Sequence, residues 1–477
     1  MVHIEKFELF TSPDKGRGIR ATHDLTAGEE VFVEKPLVYT LTGHNYRGRR
    51  CDFCFAEPEE LQKCSKCKFV FYCGRNCQLG DWPVHKKECK CLLKVSPKQP
   101  PDICRLVSHI CFKYYWNKGE NDVSGRSDIE NLIGNRDHIT NSRKEAFFTF
   151  GAVLFEYLKD CPLKLKEADI YGLLCRISCN SFTITNSELN SLGTGVYKTA
   201  SFINHSCDPN CIALFNGPDI SIRCIKNIAS GEELLMGYVN TLAPTELRKA
   251  ELLEGYMFTC TCDVCSGKQL NDFLMKSIKC QSPCTCYQSL VEISGSPSPK
   301  VCSCKKNCIS DEDFIKVASI CSDELEALYN DIKVIPTHEQ QKKLETLIKR
   351  GEKLLGPLNI SLVRCYEVAM DGCLEQGLWQ KALDYSKKLE KPYQMYLSKY
   401  HPTIGLHCFK QGKLEMQIDN VREAIASFQK AEKVLKISHG SNHELLQMLR
   451  TSLAEASQEM VERQNYEIIE RMYNGEE

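Results

Sequence analysis

Between Cys51 and Cys89 the chain carries four pairs of metal-binding residue types within 39 residues: Cys51-x-x-Cys54, Cys64-x-x-Cys67, Cys73-x-x-x-Cys77 and His85-x-x-x-Cys89. No other stretch limits the fold as sharply. Two soft ligands separated by two or three residues can reach one tetrahedral zinc, so eight of them specify two zinc sites. A segment this short cannot fold on its own apolar core, and metal must supply much of its folding free energy. A disulfide framework would need an oxidising compartment. Yet residues 1–30 carry charges throughout with no apolar signal core, and no run of about eighteen apolar residues occurs. We therefore expect a protein that is neither secreted nor membrane-spanning. Its 29 cysteines, an odd number, are then thiols and metal ligands.

The length of 477 residues leaves room for two to four domains, and 42% apolar with 26% charged residues is an ordinary globular balance. The net charge of -1 sets up no global field for a polyanion. Residues 47–98 nevertheless hold twelve Lys/Arg against six Asp/Glu, which permits contact with nucleic acid phosphate. Without a base-reading motif, protein contact ranks ahead of it.

Ahead of the cysteine pairs, residues 7–41 alternate between β-rich runs and turns. Lys15-Gly16-Arg17-Gly18 is a tight turn, and Gly28-Glu29-Glu30 is echoed later by Gly231-Glu232-Glu233, just before Tyr238. Beyond a linker at 97–101, residues 103–160 carry helical periodicity, with Phe147, Phe148, Phe150, Leu154, Phe155 and Leu158 expected in a core and a polar loop at 117–126. From Cys175 the chain becomes dense in polar chemistry. Cys179-Asn180-Ser181-Phe182 precedes a glycine-rich segment, and Asn204-His205-Ser206-Cys207-Asp208-Pro209-Asn210 follows an apolar stretch. Cys260-x-Cys262-x-x-Cys265 lacks a fourth ligand, and Cys207 is the candidate. Six more cysteines, Cys280, Cys284, Cys286, Cys302, Cys304 and Cys308, flank a Ser/Pro-rich loop and offer a fourth zinc site. In the last third, Trp379-x-x-Ala382-Leu383 and Val421-x-x-Ala424-Ile425 recur 42 residues apart, and His401 and His443 keep the same offset. That period indicates helix-turn-helix repeats.

The cysteine pairs, with Tyr72, Gln78 and Trp82, resemble a MYND zinc finger. Set between the early glycine turn and the Asn204-His205, Gly-Glu-Glu-Tyr238 and Cys260 segments, which resemble a SET-domain lysine methyltransferase, they make the whole chain similar to the SMYD family. The fold implied is α+β and multidomain: a β-rich SET core split by a MYND finger and a helical insert, then a cysteine-rich post-SET segment and an α-helical TPR-like domain. The corresponding boundaries are 1–48, 49–92, 93–175, 176–245, 246–310 and 311–477. The resemblance implies that Cys51, Cys54, Cys73 and Cys77 share one zinc, Cys64, Cys67, His85 and Cys89 a second, and Cys207, Cys260, Cys262 and Cys265 a third.

It also implies methyl transfer from S-adenosylmethionine to a lysine amine. Cofactor contacts fall on Lys15, Gly16, Arg17, Glu130, Asn180, Ser201, Asn204, His205, Tyr238 and Phe258, with Phe182, Tyr238 and Tyr256 as the lysine channel and Tyr238 as the catalytic tyrosine. One position departs from the family pattern: Leu132 stands where Asn or His usually follows Glu130. Family precedent further implies substrates among histones and non-histone proteins, proline-rich peptides at the finger, a heat-shock chaperone at the TPR-like repeats, and a location in cytoplasm and nucleus. The repeats would present a concave binding face or serve as a scaffold over the catalytic cleft. The competing function is an adaptor with a non-catalytic SET core acting in transcriptional regulation; intact Tyr238, Asn204-His205 and the cysteine triad argue against it.

Overall fold

The computed structural model describes residues 6–12, 15–116, 125–163, 165–266, 271–279, 287–289, 312–332 and 335–474. The chain divides into two compact units, Met1–Tyr238 with Lys249–Cys260, and Val239–Arg248 with Thr261–Glu477.

The first unit is built on short antiparallel sheets. Strand Phe7–Ser12 pairs with Gly16–Ala21, Ser12 opposite Gly16, so Gly16, Arg17 and Gly18, expected in a tight turn, open the second strand instead, because their backbone is held in the ladder by Phe10, Thr11 and Ser12. Strands Glu30–Glu34, Asp219–Cys224 and Cys211–Asn216 form one three-stranded sheet. Val38–Leu41, Ser191–Val196 and Ser181–Thr185 form another. The strand Asp219–Cys224 shows why these segments pair: Ile220, Ile222 and Cys224 are buried on one side while the residues between them are not. That period-two pattern suits a strand with one face on a core. The core behind it gathers Ile19, Leu25, Val31, Ile203, Ile220, Ile222, Leu234 and Met236, each such side chain contributing about 1.5–3 kcal/mol by leaving water.

The cysteine-rich segment contains the two-residue ladder of Gln62–Lys63 and Phe71–Tyr72 and the helix Arg75–Val95. It does not fold on metal alone. Cys51, Val70, Tyr72 and Leu92 share one core with Leu106, Val107, Phe112, Phe147 and Leu174 of the helical insert. The insert comprises helices Asp102–Ile110, Arg126–Glu130, Asn141–Leu158 and Glu167–Asn180. Phe147, Leu154 and Leu158 are buried as expected, whereas Phe148 is 71% exposed and rests on Tyr171. Adjacent helical positions point about 100° apart, so Phe147 and Phe148 cannot both face one core.

The second unit is helical. Its long helices are Glu312–Asp331, His338–Leu354, Ile360–Glu375, Trp379–Tyr396, Pro402–Gln417, Val421–Ser438 and Glu444–Asn474. The 42-residue repeat has a physical origin. Trp379 and Val421 each open a helix, Ala382 and Ala424 are fully buried, and His401 and His443 each accept a backbone N–H two residues on at the start of the next helix. Small residues let these helices approach: a Cβ on Gly405 would come within 2.6 Å of Leu435, and one on Gly412 within 2.4 Å of Phe428. No helix among the described residues is long and apolar enough to cross a membrane. The six cysteines from Cys280 to Cys308 lie outside the described residues.

Candidate active site and metal centres

Asn204–His205 is a two-residue strand running parallel to Leu235–Met236, with Asn204 opposite Leu235 and His205 opposite Met236. The Ser206 amide extends the ladder to the Met236 carbonyl at 2.9 Å. Beyond the turn, buried Asn210 acts as a further strand: its Oδ1 accepts the Leu235 amide at 2.8 Å and its Nδ2 donates to the Glu233 carbonyl at 2.9 Å. Asn210 therefore does more than turn the chain.

The glycine-containing start of the strand Gly16–Ala21 meets this strand end. Asn204 Nδ2 donates to the Arg17 carbonyl at 3.1 Å and to Glu233 Oε1 at 2.8 Å, while Glu233 Oε2 accepts from Lys15 Nζ at 2.9 Å. The approach is so close that a Cβ on Gly18 would lie 2.7 Å from the Phe10 ring and 3.0 Å from both Asn204 Nδ2 and Glu233 Oε1. Gly16 has φ +73°, a left-handed conformation that other residues enter only with strain, and its Cβ direction is open. Arg17 is pinned by the Asn131 carbonyl at 2.6 Å, its guanidinium 4.7 Å from the centre of the Phe202 ring.

Tyr238 is held at both ends. Its amide donates to His205 Nδ1 at 3.0 Å, and its hydroxyl donates to the Ile203 carbonyl. Its ring lies 4.8 Å from Tyr256, 5.3 Å from His205 and 6.3 Å from Phe258. Tyr256 returns a hydroxyl bond to the Tyr238 carbonyl at 3.3 Å, and its own carbonyl accepts Asn135 Nδ2 at 3.0 Å. Loss of solvation, then the neighbouring Tyr256, Cys179 and Glu233, push the Tyr238 phenol above its ordinary value of 10. Burial, with the Glu251 carboxylate next, pushes Tyr256 up to about 12. Both hydroxyls thus stay protonated at neutral pH.

The remaining expected residues are placed as follows. Phe182 stands edge-on to Tyr197 at 5.5 Å, opposite Gly195 in its sheet. Asn180 is buried at the end of its helix, its Nδ2 donating to the Ile133 and Arg176 carbonyls, both at 2.7 Å. Ser201 Oγ donates to the Lys198 carbonyl at 2.9 Å. Glu130 turns its carboxylate to Arg126 at 2.9 Å and Tyr115 at 3.2 Å, and Leu132 is buried. The insert instead reaches the start of the strand Gly16–Ala21 through the Asn131 carbonyl. Sequence reasoning left Glu233, Asn210 and Asn135 without roles; the echoed Gly-Glu-Glu pattern was the signal for the first.

Three groups of four ligands meet, each with its ligand atoms within 4.8 Å of one another: Cys51, Cys54, Cys73 and Cys77; Cys64, Cys67, His85 and Cys89; and Cys207, Cys260, Cys262 and Cys265. A tetrahedral zinc with bonds of about 2.3 Å sets sulfurs roughly 3.8 Å apart. Cys54 and Cys73 lie 3.5 Å apart and Cys64 and Cys89 3.9 Å apart, so the donor sets fit that metal. His85 turns Nε2 toward Cys67 at 3.7 Å because its Nδ1 is engaged by buried Glu88 at 3.4 Å, which in turn accepts Arg105 Nε at 2.8 Å. Such a carboxylate fixes the orientation of a ligating imidazole.

Residues 16–239 match the SET domain family model. The mouse histone-lysine N-methyltransferase SMYD3 is 30% identical over 458 residues, spanning 94% of this chain and 97% of the relative. The Xenopus laevis N-lysine methyltransferase SMYD2-A is 30% identical over 451 residues, spanning 94% and 99%. The chain belongs to the SMYD family. As a SMYD protein it is a protein-lysine methyltransferase with a mixed α+β SET fold, its substrates are proteins, and its three Cys/His groups suit zinc.

Proposed function

We propose that the node joining residues 15–18, 204–205 and 233–238 methylates lysines of histone tails and of non-histone proteins. The observation that carries this reading is the convergence of a glycine-containing strand start, a strand end and a doubly anchored, protonated Tyr238 in one hydrogen-bonded cluster. S-adenosylmethionine, when bound, supplies an electrophilic methyl on sulfur. Lys15, the Gly16 backbone and Arg17 are suited to its carboxylate, and Asn180, Ser201, Asn204 and His205 to its polar groups. The Phe258 ring is suited to stacking on its base. Glu130, the remaining member of the set, turns its carboxylate to Arg126 and Tyr115.

Phe182, Tyr238 and Tyr256 form the proposed lysine channel. The two tyrosine rings lie 4.8 Å apart and exclude water from the amine. Desolvation lowers the lysine from its reference pKa of about 10.4, so the amine arrives neutral. The Tyr238 hydroxyl orients methyl and amine for in-line displacement, a gain in alignment rather than in covalent chemistry.

The three ligand groups act as the zinc sites of the finger and post-SET segment, within the six-part division given by the sequence. SMYD3 is named for histone lysines, which supports histone tails as one substrate class here. The finger takes a proline-rich peptide, the helical repeats a heat-shock chaperone, and the protein works in cytoplasm and nucleus.

Radiolabelled methyl transfer to histones and cell lysates tests the proposal, with a Tyr238→Phe variant beside it. Labelled lysine with the wild type and a loss of about 10²- to 10³-fold in kcat for the variant is expected, the scale of removing one positioned donor. Folded, zinc-loaded wild type that labels no lysine would return the protein to the adaptor class.

A further inference from the structure

We infer that His205 is a positioning residue through which the Cys207 sulfur governs the placement of Tyr238. The inference rests on the reading above, in which Tyr238 serves methyl transfer and Cys207 binds zinc.

Two contacts of one buried ring carry it. The Tyr238 amide lies 3.0 Å from His205 Nδ1, and His205 Nε2 lies 3.3 Å from Cys207 Sγ. A backbone N–H can only donate, so Nδ1 is the acceptor and bears no proton. The neutral ring then carries its proton on Nε2, which faces the sulfur. A thiol is a weak acceptor, whereas a metal-bound sulfur is a thiolate and takes a hydrogen bond readily. The geometry sets the proton on Nε2 facing the Cys207 sulfur, a contact that a metal-bound sulfur would strengthen, and that tautomer keeps Nδ1 open for Tyr238.

The position of the ring explains why this matters. The ladder of Asn204–His205 with Leu235–Met236 ends two residues before Tyr238, and its last backbone bond runs from Ser206 to Met236. The Tyr238 hydroxyl is tied to Ile203, one residue ahead of the same strand. His205 secures the backbone end of the tyrosine, Ile203 its hydroxyl, and together they fix both ring position and tilt. A sulfur outside the reaction centre is thereby linked to the backbone of the catalytic tyrosine through a single imidazole.

Two substitutions divide the link. His205→Asn can present an amide oxygen where Nδ1 stood but is too short to reach Cys207. His205→Gln can place an amide N–H at the sulfur but offers only methylene to the Tyr238 amide. Measured on the full-length zinc-loaded protein, the two should cross. H205Q should lose roughly 10-fold more kcat than H205N, with KM for the protein substrate moving less than kcat. H205N should release one of its three zincs to a chelator roughly 10-fold faster than H205Q, in keeping with the effect of a lost outer partner on metal affinity.

Histidine-selective ¹⁵N NMR of the wild type supplies a readout independent of activity and of variant folding. One ring, identified by its loss in either variant, should be the Nε2–H tautomer with a hydrogen-bonded Nδ1. A ring protonated on Nδ1 would overturn the inference, as would equal losses of kcat and zinc in both variants. A wild type that methylates nothing yet shows the tautomer and the zinc crossing would sink the enzyme reading while leaving the Cys207–His205 link in place.

Discussion

In the finger, ligands that share a metal are at most 26 residues apart in sequence; in the catalytic node, Lys15 and Glu233 are 218 residues apart and Arg17 and Asn204 187 apart. The finger closes short loops around ions whose bonds far exceed any single hydrogen bond. The node closes long loops with ordinary polar contacts, which exist only once both sheets and their shared core have formed. The two regions should therefore fail differently, the finger by unfolding and the node by losing function while folded.

The largest effect should come from breaking a finger site. Cys64→Ser should eject one zinc and abolish hydrogen-exchange protection of Phe71–Tyr72, because metal supplies most of the local folding free energy. Retention of both finger zincs and of that protection would break the contrast.

Glu233→Gln should weaken cofactor binding on the order of 10- to 100-fold, since it removes the charge that holds Lys15, while calorimetric Tm falls by only a few degrees. A Tm loss as large as that of the finger variant would show that the node is structural. Gly18→Ala should cost about 1–3 kcal/mol by pressing a methyl onto Phe10, Asn204 and Glu233. Denaturant melts would measure it, and an unchanged midpoint would mean that the strand start relaxes freely.

The smallest effect is a control in the helix Pro402–Gln417, which carries none of the three ligand groups and no residue of the node. Burial, with Lys410 adding, lowers His407 to about 4. The unfolded chain binds a proton there below about pH 6.5 while the folded chain does not. Stability is therefore full above 6.5 and falls by up to about 1.4 kcal/mol per pH unit between 6.5 and 4. Burial lowers His401 to about 4 as well, so thermal melts across that window should lose about half of the combined dependence in His407→Gln.

How legible each part was follows from the same contrast. The zinc groups could be read as pairs because ligand spacing is local chemistry. Glu233 and Asn210 could not, since their partners lie on other strands and nothing in their own neighbourhood shows which carboxylate will meet Asn204. Glu130 shows the converse: its type and position suggested a contact, but Arg126, four residues on the other side along the same helix, and Tyr115 occupy its carboxylate. Phe148 joined a core on paper because composition does not specify which way a helix faces.

By itself the sequence determined the ligand pairs of the finger, the helical repeat and its 42-residue period, and the residue types of a methyl-transfer site. These depend on spacing along the chain and on the chemistry of single side chains. The tertiary structure alone decided that Tyr238 is tied at its amide to His205 and at its hydroxyl to Ile203, that Gly18 is closed in by Asn204 and Glu233, and that the finger shares its core with the insert. Each of these is a meeting of distant segments, and only the cooperative formation of the sheets and their core brings such segments within hydrogen-bond reach.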